Sequence, residues 1–124
     1  MLLVEDEPAV RDLAALALRR QGYTVLVAAN GKEALRVAHE HQADAIDLLL
    51  TDVVMPQMGG NKLANKLRPL MPWLKVMFTS GFPGDMVGPS LDWHLSAAFL
   101  PKPFTPEELT RRVREVLSAS DPSP

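Results

Sequence analysis

Five short apolar runs alternate with amphipathic stretches along the 124 residues of this chain. The third run, Ile46 to Thr51, contains Leu48-Leu49-Leu50. Successive side chains of a strand point to opposite faces, so three consecutive leucines make this strand apolar on both. Such a strand belongs at the centre of a parallel sheet with helices packed on either side. The other strand-like runs are Leu2 to Val4, Thr24 to Ala28, Val76 to Thr79 and Ala98 to Leu100.

The stretches between them carry helix signals. Pro8 suits the first position of a helix, where its missing N–H costs nothing. Val10, Leu13, Ala14, Ala17 and Leu18 give that helix an apolar stripe, and Gly22 closes it. Asn30 can cap a helix from Gly31 to His41, with Ala34, Val37 and Ala38 facing inward. A loop from Met55 to Gly60 precedes a third helix marked by Leu63, Ala64, Leu67, Leu70 and Met71 and interrupted near Pro69 and Pro72. The segment Phe82 to Leu95 carries Pro83, Gly84, Gly88 and Pro89, so the helix that a βαβ crossover calls for there is expected to be short or irregular. The last helix has the clearest start. Thr105 is its cap, Pro106 its first residue and Glu108 completes a capping box, with Leu109, Val113, Val116 and Leu117 as its stripe. Strands alternating with helices predict an α/β domain with right-handed crossovers over residues 1–117, followed by a disordered Ser/Pro-rich tail over 118–124.

Composition narrows the function. A net charge of −2 gives no footprint for nucleic acid or an anionic membrane. Arg111, Arg112 and Arg114 form the one basic cluster and read as the solvated face of the last helix. The absence of cysteine rules out disulfides and thiolate metal sites. No apolar run approaches the ~20 residues that span a bilayer. The expected setting is the cytoplasm, with no direct membrane contact. His39, His41 and His94 form no metal-ligand pattern, and Trp73 and Trp93 read as packing or rim aromatics.

Three of the apolar runs end in charged residues: Glu5-Asp6, Asp52 and Lys102-Pro103. In an open parallel sheet the carboxyl ends of the strands share one edge, and ligands bind there. Three carboxylates and an ammonium would therefore converge. Asp52 alone could be an ordinary turn residue, and acids in a loop are usually solvated, a reading that fits Glu7 best. Placed together, Glu5, Asp6 and Asp52 would raise one another's pKa unless a cation offset them. Oxygen-only ligands suit Mg²⁺. Asp52 can then act as a nucleophile toward phosphorus, forming an acyl phosphate. Lys102 can neutralise a phosphoryl group and the Ser80 hydroxyl can hydrogen-bond it.

Four segments, Leu2 to Pro8, Leu50 to Gly60, Phe78 to Gly81 and Phe99 to Phe104, occur in this order at domain-scale spacing. Together they resemble the receiver domain of two-component response regulators. The resemblance implies a flavodoxin-like, doubly wound (βα)5 fold with a five-stranded parallel sheet in the order 2-1-3-4-5. It implies that Asp52 is the phosphoacceptor, that Asp6 binds Mg²⁺ directly and Glu5 through water, and that the Val54 carbonyl is a further ligand. It makes Lys102 the phosphate-binding lysine, ahead of a bond to Pro103 that is often cis. Ser80 and Phe99 stand at the switch positions, where phenylalanine in place of the usual tyrosine restricts switching to packing.

Partners follow from the same resemblance: a histidine kinase or histidine phosphotransfer domain, and a homodimer through the fourth helix, fifth strand and last helix as one available assembly. The wording Phe-Thr-Ser-Gly-Phe points to the receiver of a hybrid sensor histidine kinase, whose parent chain would be an enzyme while this domain has at most weak self-phosphorylation and dephosphorylation activity. A stand-alone single-domain regulator and a non-phosphorylated pseudo-receiver are the alternatives. An aspartyl-phosphate hydrolase would need an acid where Val54 stands, and a pseudo-receiver tends to lose an acid or the lysine, neither of which is missing. Gly59, where the family often has Asp, is the main departure in the loop after Asp52. Val54 and Phe82 offer no group that would hold an attacking water, which suits a long-lived phosphoform.

Overall fold

The strand Leu48–Asp52 (β3) is buried at every position, as three consecutive leucines demand. It lies at the centre of a five-stranded sheet in the order β2-β1-β3-β4-β5, with Leu2–Val4 as β1, Leu26–Ala28 as β2, Lys75–Ser80 as β4 and Ala98–Pro101 as β5. Every pairing is parallel. The computed structural model describes residues 1–41, 46–55, 57–80 and 98–118. The irregular helix expected over Phe82 to Leu95 lies outside the described residues, as do the side chain of Ser80 and the tail from residue 119.

The period-2 alternation of the strands divides the core into two layers. Leu2, Val4, Leu49, Val76 and Phe78 meet Ala34 and Ala38 of α2 (Gly31–Glu40) and Leu63, Ala64 and Leu67 of α3 (Gly60–Leu67). Leu3, Leu48, Leu50, Met77 and Leu100 meet Ala14, Ala15 and Leu18 of α1 (Pro8–Arg20) and Leu109 and Val113 of α4 (Pro106–Ser118). The sheet is thus covered on both faces, which is the flavodoxin-like arrangement.

Several boundaries differ from the sequence reading for physical reasons. β2 starts at Leu26 rather than Thr24, because its ladder with β1 begins at Leu2↔Leu26. Asp52 is the last residue of β3 rather than the first after it, so the sheet itself fixes its backbone. α3 ends at Leu67: Arg68 keeps a helical backbone, with φ −57° and ψ −41°, but Pro69 after it has no N–H to continue the ladder. Ser118 closes α4 instead of opening the tail. Leu13 is 48% exposed, whereas α1 buries Ala14, Ala15 and Leu18, and Leu13 lines a groove at the carboxyl edge.

Both ends of α4 are tied down. The Glu108 N–H donates to Thr105 Oγ1 at 3.1 Å and the Thr105 N–H donates to Glu108 Oε1 at 3.0 Å, a reciprocal capping box. At the other end Lys75 Nζ donates to the carbonyls of Val116 and Leu117, both at 3.2 Å, so β4 supplies the cation that α4 lacks in its own last turn. Thr105→Ala should lower the free energy of unfolding by ~1 kcal/mol. Urea denaturation measures it, and an unchanged midpoint at unchanged slope would contradict the role of the cap.

Candidate functional site

The alternation that builds the α1/α4 side of the core also places the chemistry. Leu3, Leu50, Met77 and Leu100 belong to that layer. Two residues beyond each, at the carboxyl edge, stand Glu5, Asp52, Thr79 and Lys102. Each stands at or next to the end of its strand and is thereby carried to the same side of the same edge.

Lys102 joins them. Its Nζ lies 2.8 Å from Glu5 Oε1, 2.8 Å from Asp52 Oδ1 and 2.9 Å from Asp52 Oδ2. The carboxyl side chains are almost wholly buried, at 4% exposure for Glu5 and 6% for Asp52. Thr79 Oγ1 donates to Asp52 Oδ1 at 2.9 Å. Glu5 is braced from its own turn: the Glu7 N–H donates to Glu5 Oε2 at 3.1 Å and Arg11 donates to the Glu5 carbonyl at 3.0 Å. Asp6 is exposed, yet ligand oxygens of Glu5, Asp6 and Asp52 all lie within 4.8 Å of one another. The donor set is oxygen-only and acidic, which fits a hard divalent cation.

The electrostatics follow from burial. Glu5 is raised from 4.5 to about 7, first because burial penalises its charge and then because its side chain shares a hydrogen bond with Asp52, with Lys102 opposing both. Lys102 is raised above its usual value: burial pulls it down, but its bonds to Asp52 and Glu5 outweigh that.

The loop after Asp52 is held close to the strand. The Gly60 N–H donates to the Val53 carbonyl at 2.8 Å. A Cβ on Gly60 would collide with the Asp52 carbonyl, and one on Gly59 would lie 2.8 Å from the Val53 carbonyl oxygen. An Asp at position 59 would therefore require a different loop. Gln57 adopts a φ of 71°, a left-handed conformation uncommon outside glycine. Val54 is 60% exposed at the mouth of a groove of about 650 Å³ that Asp6, Asp52, Lys102, Val10, Leu13 and Phe104 also line. The Lys102–Pro103 bond is cis.

Of the residues singled out in the sequence, Glu5, Asp6, Asp52, Val54 and Lys102 come together here. Ser80 closes β4 by its backbone, opposite Pro101, while its side chain lies outside the described residues. Phe99 stands one strand away, its ring centroid 5.7 Å from that of the fully buried Phe78, and its carbonyl accepts from Arg112 at 3.1 Å. Thr79 was missed. Its signal was present as a hydroxyl inside the otherwise apolar run Val76-Met77-Phe78, at even spacing from Met77.

The family model described as the response regulator receiver domain matches residues 1–114. The chain belongs to that family. The receiver is 42% identical over 121 residues to the sensor kinase CckA of Brucella abortus, covering 98% of this chain but 13% of that kinase. It is 36% identical to the response regulator receiver protein CpdR of the same organism, covering 97% of this chain and 98% of that protein. Among solved structures it resembles the receiver domain of the hybrid histidine kinase CckA, with a TM-score of 0.78, 43% identity and coverage of 94% and 97% of the two chains. It is thus a module of two-component signalling, a class that works with histidine kinases or phosphotransfer partners. Among the described residues no helix is long and apolar enough to cross a membrane.

The Glu5 shift has a measurable consequence. Between pH 4.5 and about 7 the unfolded chain has released the Glu5 proton while the folded domain still holds it. Folding is therefore favoured at the low end of this window and loses stability as pH rises through it. The loss should be smaller in Glu5→Gln, which has no proton to release. Urea midpoints of the two proteins from pH 5 to 8 should converge at low pH and diverge in favour of the variant at high pH. Parallel curves would contradict the assignment.

Proposed function

We propose that this receiver accepts a phosphoryl group on Asp52 from a phosphohistidine of a histidine kinase or phosphotransfer domain. The single observation that carries the proposal is the Asp52 carboxylate, buried at the end of the central strand and held by Lys102 beside Glu5 and Asp6. A carboxylate oxygen of Asp52 attacks phosphorus, the new P–O bond forms, and the bond to the donor imidazole breaks with its electron pair leaving on nitrogen. Lys102, already within reach of both Asp52 oxygens, can follow the incoming phosphoryl oxygens. Glu5, Asp6, Asp52 and the Val54 carbonyl would hold Mg²⁺, which supplies positive charge against the phosphoryl oxygens and the three acids. Ser80 and Phe99 are the residues through which the new charge would be read, the latter by repacking against Phe78.

The likeness to the CckA kinase and to its receiver structure supports a place in a hybrid sensor histidine kinase acting in the cytoplasm. CpdR, matched over 98% of its length, supports a stand-alone single-domain regulator as the second reading. The net charge of −2 supports protein partners rather than nucleic acid. A homodimer through the expected fourth helix, β5 and the last helix, α4, is a further assembly open to such a domain.

Intact-mass measurement after treatment with acetyl phosphate and Mg²⁺ tests the acceptor. Wild type should gain one phosphoryl group and Asp52→Ala none. Equal labelling of the two would overturn the assignment.

A further inference from the structure

We propose that the Thr79 hydroxyl is a positioning group for Asp52, marking Oδ1 as the oxygen that does not carry phosphorus and steadying the carboxylate that hydrolysis releases. The proposal rests on Asp52 being the phosphoacceptor. Thr79 is 4% exposed and pairs with Asp52 across the β3–β4 ladder, so both side chains leave the sheet on the same face. Its Oγ1 lies 2.9 Å from Asp52 Oδ1, and the Val53 N–H donates to the Thr79 carbonyl at 3.0 Å, fixing the two backbones to each other.

The two oxygens of Asp52 are therefore not equivalent. Oδ1 accepts from the Thr79 hydroxyl and lies 2.8 Å from Lys102 Nζ in an ion pair, whereas Oδ2 accepts from Lys102 at 2.9 Å. Both oxygens feel the Lys102 ammonium, but Oδ1 alone of the two has a lone pair engaged by the Thr79 hydroxyl, which makes it the poorer nucleophile. Oδ2 attacks phosphorus, and Oδ1 becomes the carbonyl oxygen of the acyl phosphate. In hydrolysis water attacks phosphorus, the P–Oδ2 bond breaks with its electron pair staying on Oδ2, and both water protons leave with inorganic phosphate as dihydrogen phosphate. Negative charge returns to the carboxylate and is shared with Oδ1, where the Thr79 hydroxyl meets it. A hydrogen bond to a charged acceptor is stronger than one to a neutral carbonyl. Thr79 thus stabilises the departing carboxylate more than the acyl phosphate, and it speeds loss of the phosphoryl group.

The test is the decay of phosphorylated wild type, Thr79→Val, Thr79→Ala and Thr79→Ser. Each is loaded with acetyl phosphate, freed of donor, held at constant Mg²⁺ and followed by intact mass. Valine keeps the shape without the hydroxyl, alanine removes both, and serine keeps the hydroxyl. The valine and alanine variants should decay about tenfold more slowly than wild type, ~1.4 kcal/mol of lost stabilisation, and serine at close to the wild-type rate. A hydroxyl that only supports the fold would lower thermal stability without slowing decay. Valine and alanine variants that decay as fast as wild type, or a serine variant as slow as valine, would overturn the role of Thr79. Asp52→Ala run alongside separates the two claims. If it loads like wild type, the acceptor is misassigned and the Thr79 proposal goes with it; if it does not load, the decay rates judge Thr79 alone.

Discussion

One ammonium group holds the carboxyl edge of this domain together. Lys102 spans from β5 past β4 and β3 to the end of β1, reaching Glu5 at 2.8 Å and both oxygens of Asp52 at no more than 2.9 Å. Two carboxylates could not share so buried a place without it, since burial and mutual repulsion both penalise their charge. The strands bring these residues to one edge, and Lys102 makes their proximity tolerable. Removing it would leave an uncompensated charge among groups with little access to water, the costly way to break a buried pair.

The compensation is incomplete. Burial first, and the hydrogen bond shared with Asp52 second, still raise Glu5 against the opposing Lys102, while Asp6 adds a third carboxylate within 4.8 Å. A group of oxygens with surplus negative charge, open to solvent on the Asp6 side, is a place where a divalent cation is favourable. On the proposed reading, an arriving phosphoryl group would give Lys102 a new set of oxygens to serve, and its bonds to Glu5 and Asp52 would be the ones to change. The electrostatics of the resting site and the proposed chemistry of the loaded one would thus turn on the same side chain.

Much of this was legible in the sequence because the sheet imposes period-2 spacing. Leu48-Leu49-Leu50 placed β3 at the centre, and residues just past the apolar runs placed Glu5, Asp6, Asp52 and Lys102 at one edge. The capping box at Thr105 and Glu108 was readable because its partners are three residues apart. What escaped depends on rotation and register, which a single run does not encode. Leu13 fits an apolar stripe as well as Ala15 does, and only packing of α1 on α4 decides between them. Thr79 reads in the sequence only as the last residue of the fourth strand, and the ladder is what pairs it with Asp52.

The most direct test of the acid cluster as a cation site at the phosphoacceptor is the thermal midpoint of the unphosphorylated domain across a Mg²⁺ titration. A ligand at ~100 times its dissociation constant stabilises the folded state by about 2.7 kcal/mol. Wild type should rise with Mg²⁺ and then follow this logarithmic dependence, while Asp6→Ala should rise much less. A wild type indifferent to Mg²⁺, or equal rises in both proteins, would contradict the account.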